Sequence, residues 1–391
     1  KFEDKININN SFDFVLNSIA KTGMPNGLFC YSEPKVLNDF PTSEIAKRAS
    51  SFELFKFVKL HYKKIWHLLL LVNMMIYERK FLINSFLRSL FYNQKKIDLA
   101  FDFEPMSIHN VDKESTIDVI IPTIGRKQYL FDVLVDLSKQ TLLPKQVIIV
   151  EQNENINSSS ELDYIQKKSW PFKIIHKFIH QTGACNARNL ALQEVTADYV
   201  YLADDDNKFN NTLLETIIVK MQKYSMDVIT MSYLQENEVE TRKNPVQWST
   251  FGAGSSVIHS KYLQNVTFNM ALEFGYGEDA DFGMQLRNHG ADIIYFPDIK
   301  IIHLKAPIGG FRTPFIHPWK KEAVQPKPSP TVMLNRLGNA IKYQLLGYKT
   351  TLFIKFYKAQ NIKNPLTYFK AFKKQWKASQ FWANQLKEQN S

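Results

Sequence analysis

Apolar and polar positions alternate along the middle of the chain in a way that predicts strands and helices in turn. Ile117 to Ile121 is a short continuous apolar run, typical of a strand buried on both faces, and it ends at Pro122. A helical pattern follows, and Val147 to Glu151 then predicts a second buried strand that ends on a carboxylate. The order recurs downstream, with strands predicted at 173–179, 199–203 and 227–231 and helices at about 183–195 and 214–221.

This β-α-β-α order predicts an α/β fold with a mixed, mostly parallel sheet flanked by helices. Ligands of such sheets bind beyond the carboxyl ends of the strands, where several acids of this chain stand. Residues 52–92 are predicted to be mostly helical. Within them, the apolar stretch from Trp66 to Tyr77 is interpreted as a buried helix, because it is too short to span a membrane.

The chain has 391 residues, of which 45% are apolar, and this composition is typical of a globular protein with a large core. The two cysteines, Cys30 and Cys185, lie far apart and match neither a zinc spacing nor a disulfide framework. No signal-peptide pattern is visible at Lys1, although the chain does not begin with Met. We therefore expect a reducing, cytoplasmic location.

The net charge of +11 is concentrated towards the C-terminus, where Thr331 to Ser391 holds eleven Lys and Arg against one acid. Just before this stretch, VQPKPSP (324–330) predicts an extended connector. The chain is therefore predicted to have three parts: a mostly helical N-terminal region at 1–112, an α/β domain at 113–323, and a Pro-rich connector with a basic amphipathic helical tail at 324–391.

The tail combines an apolar row with lysines at helical spacing. The row consists of Leu366, Phe369, Phe372 and Trp376, and the lysines are Lys370, Lys373, Lys374 and Lys377. This mixture predicts a helix lying on an anionic membrane surface, and packing against the rest of the protein is the alternative. Nucleic acid is not expected as a partner, because the tail has ten Lys to one Arg and arginine is the preferred reader of phosphate and bases.

Three like charges, Asp204, Asp205 and Asp206, directly follow the strand predicted at 199–203. They repel one another, so something should neutralise them. A divalent ion that takes oxygen ligands, Mn²⁺ or Mg²⁺, would do so and would keep positions open for phosphate. A solvated acidic turn is the alternative.

A second acidic segment, GYGEDADFGMQLRNHG (275–290), places Glu278 and Asp279 at a predicted helix start. They are either functional carboxylates or ordinary first-turn acids. Downstream, His303 ends an apolar run and is either a structural residue or a ligand beside carboxylates. Arg188 would either reach a diphosphate or form an ion pair with an acid across the sheet.

Taken together, the order of these segments resembles a family 2 glycosyltransferase of the GT-A fold, over roughly residues 116–305. The motifs are IPTIGR (121–126), Glu151, GACNARN (183–189), the D-x-D of Asp204 and Asp206, the GED of 277–279, and His303. The resemblance implies a GT-A, Rossmann-like sheet with helical N- and C-terminal extensions. It also implies inverting transfer of a sugar from a nucleotide-sugar donor to an acceptor hydroxyl.

The same resemblance implies roles for individual residues. On the donor side it places the nucleoside at the segment with Pro122, Thr123 and Arg126, the base or ribose at Glu151, and the ribose and sugar at Asp204. For the metal it implies Asp206, with His303 as a further ligand in some relatives. For the chemistry it implies Asp279 as the catalytic base.

The residues themselves add further candidates. These are Asp205 and Arg188 for donor binding, Asp204 as a second metal ligand, and Glu278 as a hydrogen-bond partner of acceptor hydroxyls.

The implied acceptor is a saccharide or a lipid-linked saccharide, in cell-surface polysaccharide or glycolipid synthesis, with the protein peripheral on the inner face of the membrane. Residues 305–312 are predicted to form a mobile loop over the diphosphate, and an ordinary exit loop is the alternative. Two other classes stay open: a sugar-nucleotide nucleotidyltransferase, and a non-catalytic membrane-associated module of the same fold. Nucleotide, sugar, acceptor and oligomeric state are not predicted.

Overall fold

A computed structural model of the chain describes residues 10–31, 49–93, 114–307 and 315–389. The α-helices of these ranges are α1 (Phe12–Gly23), α2 (Ser51–His61), α3 (Lys64–Tyr77), α4 (Ile83–Ser89), α5 (Lys127–Ser138), α6 (Tyr164–Lys167), α7 (Ala184–Leu192), α8 (Leu213–Lys223), α9 (Glu278–Asn288), α10 (Pro330–Asn339), α11 (Lys342–Lys358) and α12 (Pro365–Gln389). The strands are β1 (Ile117–Ile124), β2 (Gln146–Gln152), β3 (Lys173–Ile179), β4 (Tyr199–Ala203), β5 (Asn207–Lys208), β6 (Val228–Leu234), β7 (Val246–Gln247), β8 (Ser255–His259) and β9 (Ile293–His303).

The chain divides into two compact units. The helical unit contains Lys1–Asp102 and Ala340–Tyr368, and the sheet unit contains Phe103–Asn339 and Phe369–Ser391. The segment 324–391, predicted to be a separate tail, is therefore shared between both units. The reason is packing, since α11 belongs with the N-terminal helices and most of α12 belongs with the sheet.

One sheet holds the nine strands of the described residues, in the order β3-β2-β1-β4-β8-β6-β9-β5, with β7 paired to β9. The ladders β1–β2, β2–β3, β1–β4 and β6–β9 are parallel, and β8 lies antiparallel between β4 and β6. The predicted α/β class, with a mixed and mostly parallel sheet flanked by helices, is confirmed. Because β1 and β4 are neighbours, their carboxyl ends open on the same edge.

Burial explains why these segments are strands. Every residue of β2 and β4 is buried, as expected for continuous apolar runs covered on both faces. The apolar run that ends at His303 is part of a longer strand, β9, whose pairing with β6 shifts register between Met231 and Ser232. On α5 the buried residues repeat at helical spacing, namely Leu130, Val133, Leu134 and Leu137.

The helical unit has its own small core. Phe55 of α2 packs edge-on against His67 of α3 and Phe86 of α4, and His67 Nε2 lies 2.6 Å from Ser89 Oγ. Thr350 of α11 joins this core by donating to Asn73 Oδ1 of α3 at 2.6 Å. The interpretation of α3 as a buried helix is wrong in part, because His67 and Leu69 are buried while Ile65, Trp66, Leu68 and Ile76 are exposed.

The apolar row of α12 is also divided. Phe372 and Trp376 are buried, whereas Leu366 and Phe369 are exposed. The backbone of the buried part is held by Lys327 N, which donates to Gln375 O at 3.2 Å, and Ser379 Oγ donates to Pro328 O at 2.8 Å. Half of the predicted membrane-facing row is thus used for packing inside the sheet unit. None of the described helices is both long and apolar enough to cross a membrane.

Candidate active site

A cavity of about 590 Å³ opens at the carboxyl ends of β1, β4 and β6. It is lined by every residue that the sequence predicts for the site except Glu151: Pro122, Thr123, Arg126, Arg188, Asp204, Asp205, Asp206, Glu278, Asp279 and His303. The fold therefore brings together segments that are up to 181 positions apart in the sequence, from Pro122 to His303.

Two arginines neutralise the acidic triplet. Arg126, at the residue before α5, lies 2.5 Å from Asp205 and 3.4 Å from Asp206. Asp205 also accepts a hydrogen bond from Thr123 Oγ1 at 2.6 Å and is buried. Burial raises the pKa of Asp205 to about 6, although Arg126 and Thr123 act in the opposite direction. Asp205 therefore anchors the loop internally, and its role in donor binding stays a prediction.

Asp204, the first acid of the triplet, is held by different partners. Asp204 pairs with Arg188 of α7 at 3.1 Å and accepts a hydrogen bond from Tyr233 of β6 at 3.1 Å. Gly254 lies so close that a Cβ atom there would collide with the Asp204 carboxylate. Of the two roles open for Arg188, the structure contains the ion pair across the sheet.

Asp206 and His303, two of the predicted metal ligands, lie next to each other in the cavity lining. Asp206 Oδ2 lies 3.5 Å from His303 Nε2 and accepts from the Ala306 amide at 2.9 Å. Burial would raise the pKa of Asp206, but the bonds from His303 and Ala306 outweigh it and hold that pKa below its usual value. A carboxylate and an imidazole fit Mn²⁺ or Mg²⁺, which commonly complete their shells with water and substrate phosphate.

The predicted set of three metal ligands does not assemble, because Asp204 is engaged by Arg188 and Tyr233. In the part of the chain that the structure describes, no three His, Cys, Asp or Glu side chains are grouped so as to hold a metal. Of the three predicted metal ligands, Asp206 and His303 lie next to each other. The described residues neutralise the triplet with arginine, so the need for a neutralising metal does not follow from the charges alone.

The cavity lining also includes the carboxylates of the GED segment. Glu278 and Asp279 occupy the first turn of α9, after Gly277. Asp279 Oδ2 accepts from the Ala253 amide at 3.3 Å, and its buried Oδ1 has no hydrogen-bond partner among the described residues. Burial raises the pKa of Asp279, against the effect of Arg188, and burial together with Asp279 raises the pKa of Glu278 to about 7.

The N-terminus of α7 is a further part of the cavity lining. Glu273 accepts hydrogen bonds from the amides of Cys185 at 3.0 Å and Asn186 at 2.8 Å, and so caps the helix. Gly183, with φ of 140°, lies against that carboxylate, and a Cβ there would be both strained and in collision. This explains the glycine that opens GACNARN.

Glu151 departs from its predicted place. Its carboxylate is buried and accepts from Ser160 Oγ at 2.5 Å and from the Glu161 amide at 3.0 Å, and it lies 2.9 Å from His176 Nε2. The hydrogen-bonding capacity of the Glu151 carboxylate is thus already used by these partners. The next residue, Gln152, lines the cavity instead and accepts a hydrogen bond from the Gly183 amide at 2.6 Å.

Residues 308–314 of the predicted mobile loop lie outside the described residues.

Gln152, Tyr233 and Glu273 are among the lining residues that the sequence did not predict. Gln152 and Tyr233 stand at the carboxyl ends of β2 and β6, so a search of all strand ends, including those without acids, would have found them. Tyr233 also stacks on His303, with ring centroids 4.6 Å apart. Glu273 lies between elements and has no periodic signal.

The sequence model of the family described as glycosyl transferase family 2 matches residues 118–278. This range runs from β1 to the first residue of α9 and includes nearly all of the cavity walls. The chain carries a family 2 glycosyltransferase domain. The predicted resemblance to that family and its GT-A fold is thereby confirmed.

Two curated glycosyltransferases of Streptococcus pneumoniae are similar to part of this chain. GlyG is 23% identical over 122 residues, which are 31% of this chain and 40% of GlyG. GlyA is 25% identical over 133 residues, which are 32% of this chain and 18% of GlyA. The similarity thus spans less than half of either relative.

Among solved structures, S. aureus TarS 1–349 in complex with UDP-GlcNAc is similar at 16% identity with a TM-score of 0.46, covering 59% of this chain and 69% of that one. GalNAc-T7 with UDP, GalNAc and Mn²⁺ is similar at 12% identity with a TM-score of 0.41, covering 49% and 44%.

Proposed function

We propose that this protein is an inverting, metal-dependent glycosyltransferase that moves a sugar from a nucleotide-sugar donor to an acceptor hydroxyl. The observation that carries the proposal is that two kinds of group line one cavity. Arg126, Asp206 and His303 belong to its lining, and so does Asp279, whose buried Oδ1 has no hydrogen-bond partner among the described residues. The first group would bind a leaving diphosphate with its metal, and Asp279 would activate the attacking hydroxyl.

On the donor side, the cationic groups of the chain bind the diphosphate. Arg126 lies at the cavity wall beside Asp205 and Asp206, and a guanidinium is well suited to binding phosphate oxygens. Asp206 and His303 would hold Mn²⁺ or Mg²⁺, which when bound stabilises negative charge on the diphosphate. Asp204, fixed by Arg188 and Tyr233, presents a carboxylate beside the donor sugar.

On the acceptor side, Asp279 removes the proton of the attacking hydroxyl. Burial raises its pKa, so its carboxylate is a stronger base than an exposed aspartate once ionised. Glu278, whose pKa is raised to about 7, exists partly protonated near neutral pH and can both donate to and accept from acceptor hydroxyls. Attack from the Asp279 side, opposite the diphosphate, gives inversion at the anomeric carbon.

The acceptor that we propose is a saccharide or a lipid-linked saccharide, in the synthesis of a cell-surface polysaccharide or glycolipid. Location on the inner face of a membrane is part of the same proposal, and the charge distribution of the chain supports it.

The proposal is tested by separating donor binding from transfer. Nucleotide sugars are first screened by thermal shift with and without Mn²⁺, and the best donor is then used for calorimetry and turnover assays. Asp279→Asn should keep donor affinity while transfer falls roughly 10²- to 10⁴-fold, the usual loss when a general base is removed. Asp281→Asn, in the same helical turn but outside the cavity lining, is the matched control and should transfer normally.

Wild-type turnover by Asp279→Asn would contradict the assignment of the base. Donor affinity that is unchanged by EDTA and by Asp206→Ala would contradict the metal. Release of pyrophosphate from a sugar phosphate and a nucleoside triphosphate would favour a nucleotidyltransferase. Donor binding with no turnover on any acceptor would favour a non-catalytic module.

A further inference from the structure

The helical unit exposes two rows of apolar side chains. On α3, Ile65, Leu68 and Ile76 are exposed, and their spacing puts them on one face of the helix. On α4 and just beyond it, the exposed residues follow the i, i+4, i+7, i+8 spacing of a single helical face and are Ile83, Leu87, Leu90 and Phe91. Phe91 is 88% exposed and Ile76 is 56% exposed. Rows of this kind mark a surface for another molecule.

The two rows are held on a rigid base. His67 of α3 stacks on Phe86 of α4, with ring centroids 4.5 Å apart, and lies within hydrogen-bond distance of Ser89. Asn73 and Tyr77 of α3 both contact Thr350 of α11. The buried sides of α3 and α4 are therefore fixed by specific packing, and the exposed rows are not a sign of a loosely folded segment.

Basic residues frame these rows. Lys63 and Lys64 stand at the start of α3, and Arg79 and Lys80 follow its end, all four exposed. Between 63 and 93 only Glu78 is acidic. The helical unit as a whole carries a net charge of +10, and the sheet unit carries +1. Nearly all of the excess charge of the chain thus belongs to the unit with the exposed rows.

We propose that α3 and α4 form a docking surface for an anionic lipid bilayer. The apolar rows enter the interface between headgroups and acyl chains, and the basic residues contact the anionic headgroups. At 14 residues α3 is too short to span a bilayer, so it lies in the interface. A nucleic acid would satisfy the charge but offers no hydrocarbon layer for Ile65, Leu87 or Phe91.

This surface replaces the one predicted on the C-terminal tail, where Phe372 and Trp376 are buried. It does not depend on the proposed sugar transfer, since none of its residues lines the candidate active site.

The test is co-sedimentation of the full chain with vesicles. Vesicles of phosphatidylcholine and phosphatidylglycerol in equal parts should bind the protein at low salt, and binding should fall as salt rises. Pure phosphatidylcholine vesicles should bind it much less. Lys63→Gln with Lys64→Gln should lower the partition coefficient about 25-fold, because each basic residue near the surface contributes about a factor of five.

A second double variant, Leu87→Glu with Phe91→Glu, tests the apolar row and should also abolish sedimentation. The matched control is Val239→Glu, which places a carboxylate on an 81% exposed apolar position of the sheet unit and should sediment like the wild type. Melting temperatures verify that each variant is folded, and calorimetry with donor reports on the active site separately.

Equal binding to neutral vesicles would overturn the proposal, as would wild-type sedimentation of either double variant. A third result would show that the rows mediate self-association instead. In that case the wild-type chain is dimeric in solution, the Leu87→Glu and Phe91→Glu variant is monomeric, and the variant still binds vesicles.

Discussion

At the scale of single residues, the acidic triplet is held by charge pairing that reaches across the fold. Arg126 and Asp205 have side-chain exposures of 12% and 3%, so their pair is nearly removed from water. A buried charge whose partner is removed is costly, because neither solvent nor another charge compensates it. Lys127, the next residue, also pairs with an aspartate, Asp163, but both of those side chains are about half exposed.

These neighbouring pairs give a matched prediction. Arg126→Ala should lower the free energy of unfolding by about 3 kcal/mol, since Asp205 would be left buried and unpaired. Lys127→Ala should lower it by less than about 1 kcal/mol, as expected for an exposed pair. Urea denaturation followed by tryptophan fluorescence measures both. Adding Asp205→Asn to Arg126→Ala should recover part of the loss, and the absence of any recovery would contradict the pairing argument.

At the scale of elements, α7 owes its start to a side chain that is distant in sequence. Glu273 accepts hydrogen bonds from two of the first amides of α7 and lies in close contact with Gly183. Residues next to Glu273 in sequence and residues at the start of α7 both line the cavity. A cap contributes about 1 kcal/mol, with a range of roughly 0.5 to 2. The stability of this helix end and the shape of the donor cavity are therefore coupled.

We predict that Glu273→Ala lowers thermal stability and weakens donor binding together. The control is Ser50→Ala, which removes the capping box of α2 in the helical unit. It should lower stability by a similar amount but leave donor affinity unchanged. Thermal melting and calorimetry with the donor measure the two quantities, and equal effects of both variants on donor affinity would contradict the coupling.

Element by element, the sequence predicts the local features of the sheet and misses the long-range ones. The strands β1, β2, β3, β4 and β6 can be predicted from the sequence because each is a short segment rich in apolar residues. The insertion of antiparallel β8 between β4 and β6 is not readable, because strand order depends on packing between segments that are distant in sequence.

The same limit applies to the site. Ten of the eleven predicted residues line the cavity because strand ends converge, but the pairing of Arg126 with Asp205 joins positions 79 apart and has no local signal. Glu151 was misplaced because a carboxylate at a strand end can turn either into the cleft or, as here, towards Ser160 and His176.

At the scale of the whole molecule, the last helix completes the sheet unit. Phe372, Trp376, Ser379 and Ala383 of α12 are buried, and the segment they contact near Pro328 leads into α10. Thr331 of α10 in turn accepts from the Tyr276 amide at 3.1 Å, and Asn335 donates to Gly277 O at 3.4 Å. The C-terminal helices thus support the loop that precedes Glu278 and Asp279.

Removal of residues 369–391 should therefore lower the melting temperature and weaken both donor binding and transfer. Deleting two buried aromatic anchors costs several kcal/mol, since each large-to-small change of such a residue costs about 3 to 5. Differential scanning calorimetry with and without donor measures the effect. The control is Phe369→Ser with Leu366→Ser, which alters only exposed residues of the same helix and should change the melting temperature little. A truncated chain with unchanged donor affinity would contradict this account.

The division of α12 also bears on when the protein can fold in the cell. The helical unit combines Lys1–Asp102 with Ala340–Tyr368, so residues 103–339 of the sheet unit must be synthesised between its two parts. A ribosome adds about 5 to 20 residues per second, so roughly 10 to 50 s pass between these parts. The helical unit therefore cannot finish folding until most of the sheet unit has been made. The core residues of α2, α3 and α4 stay open to chaperones during that time.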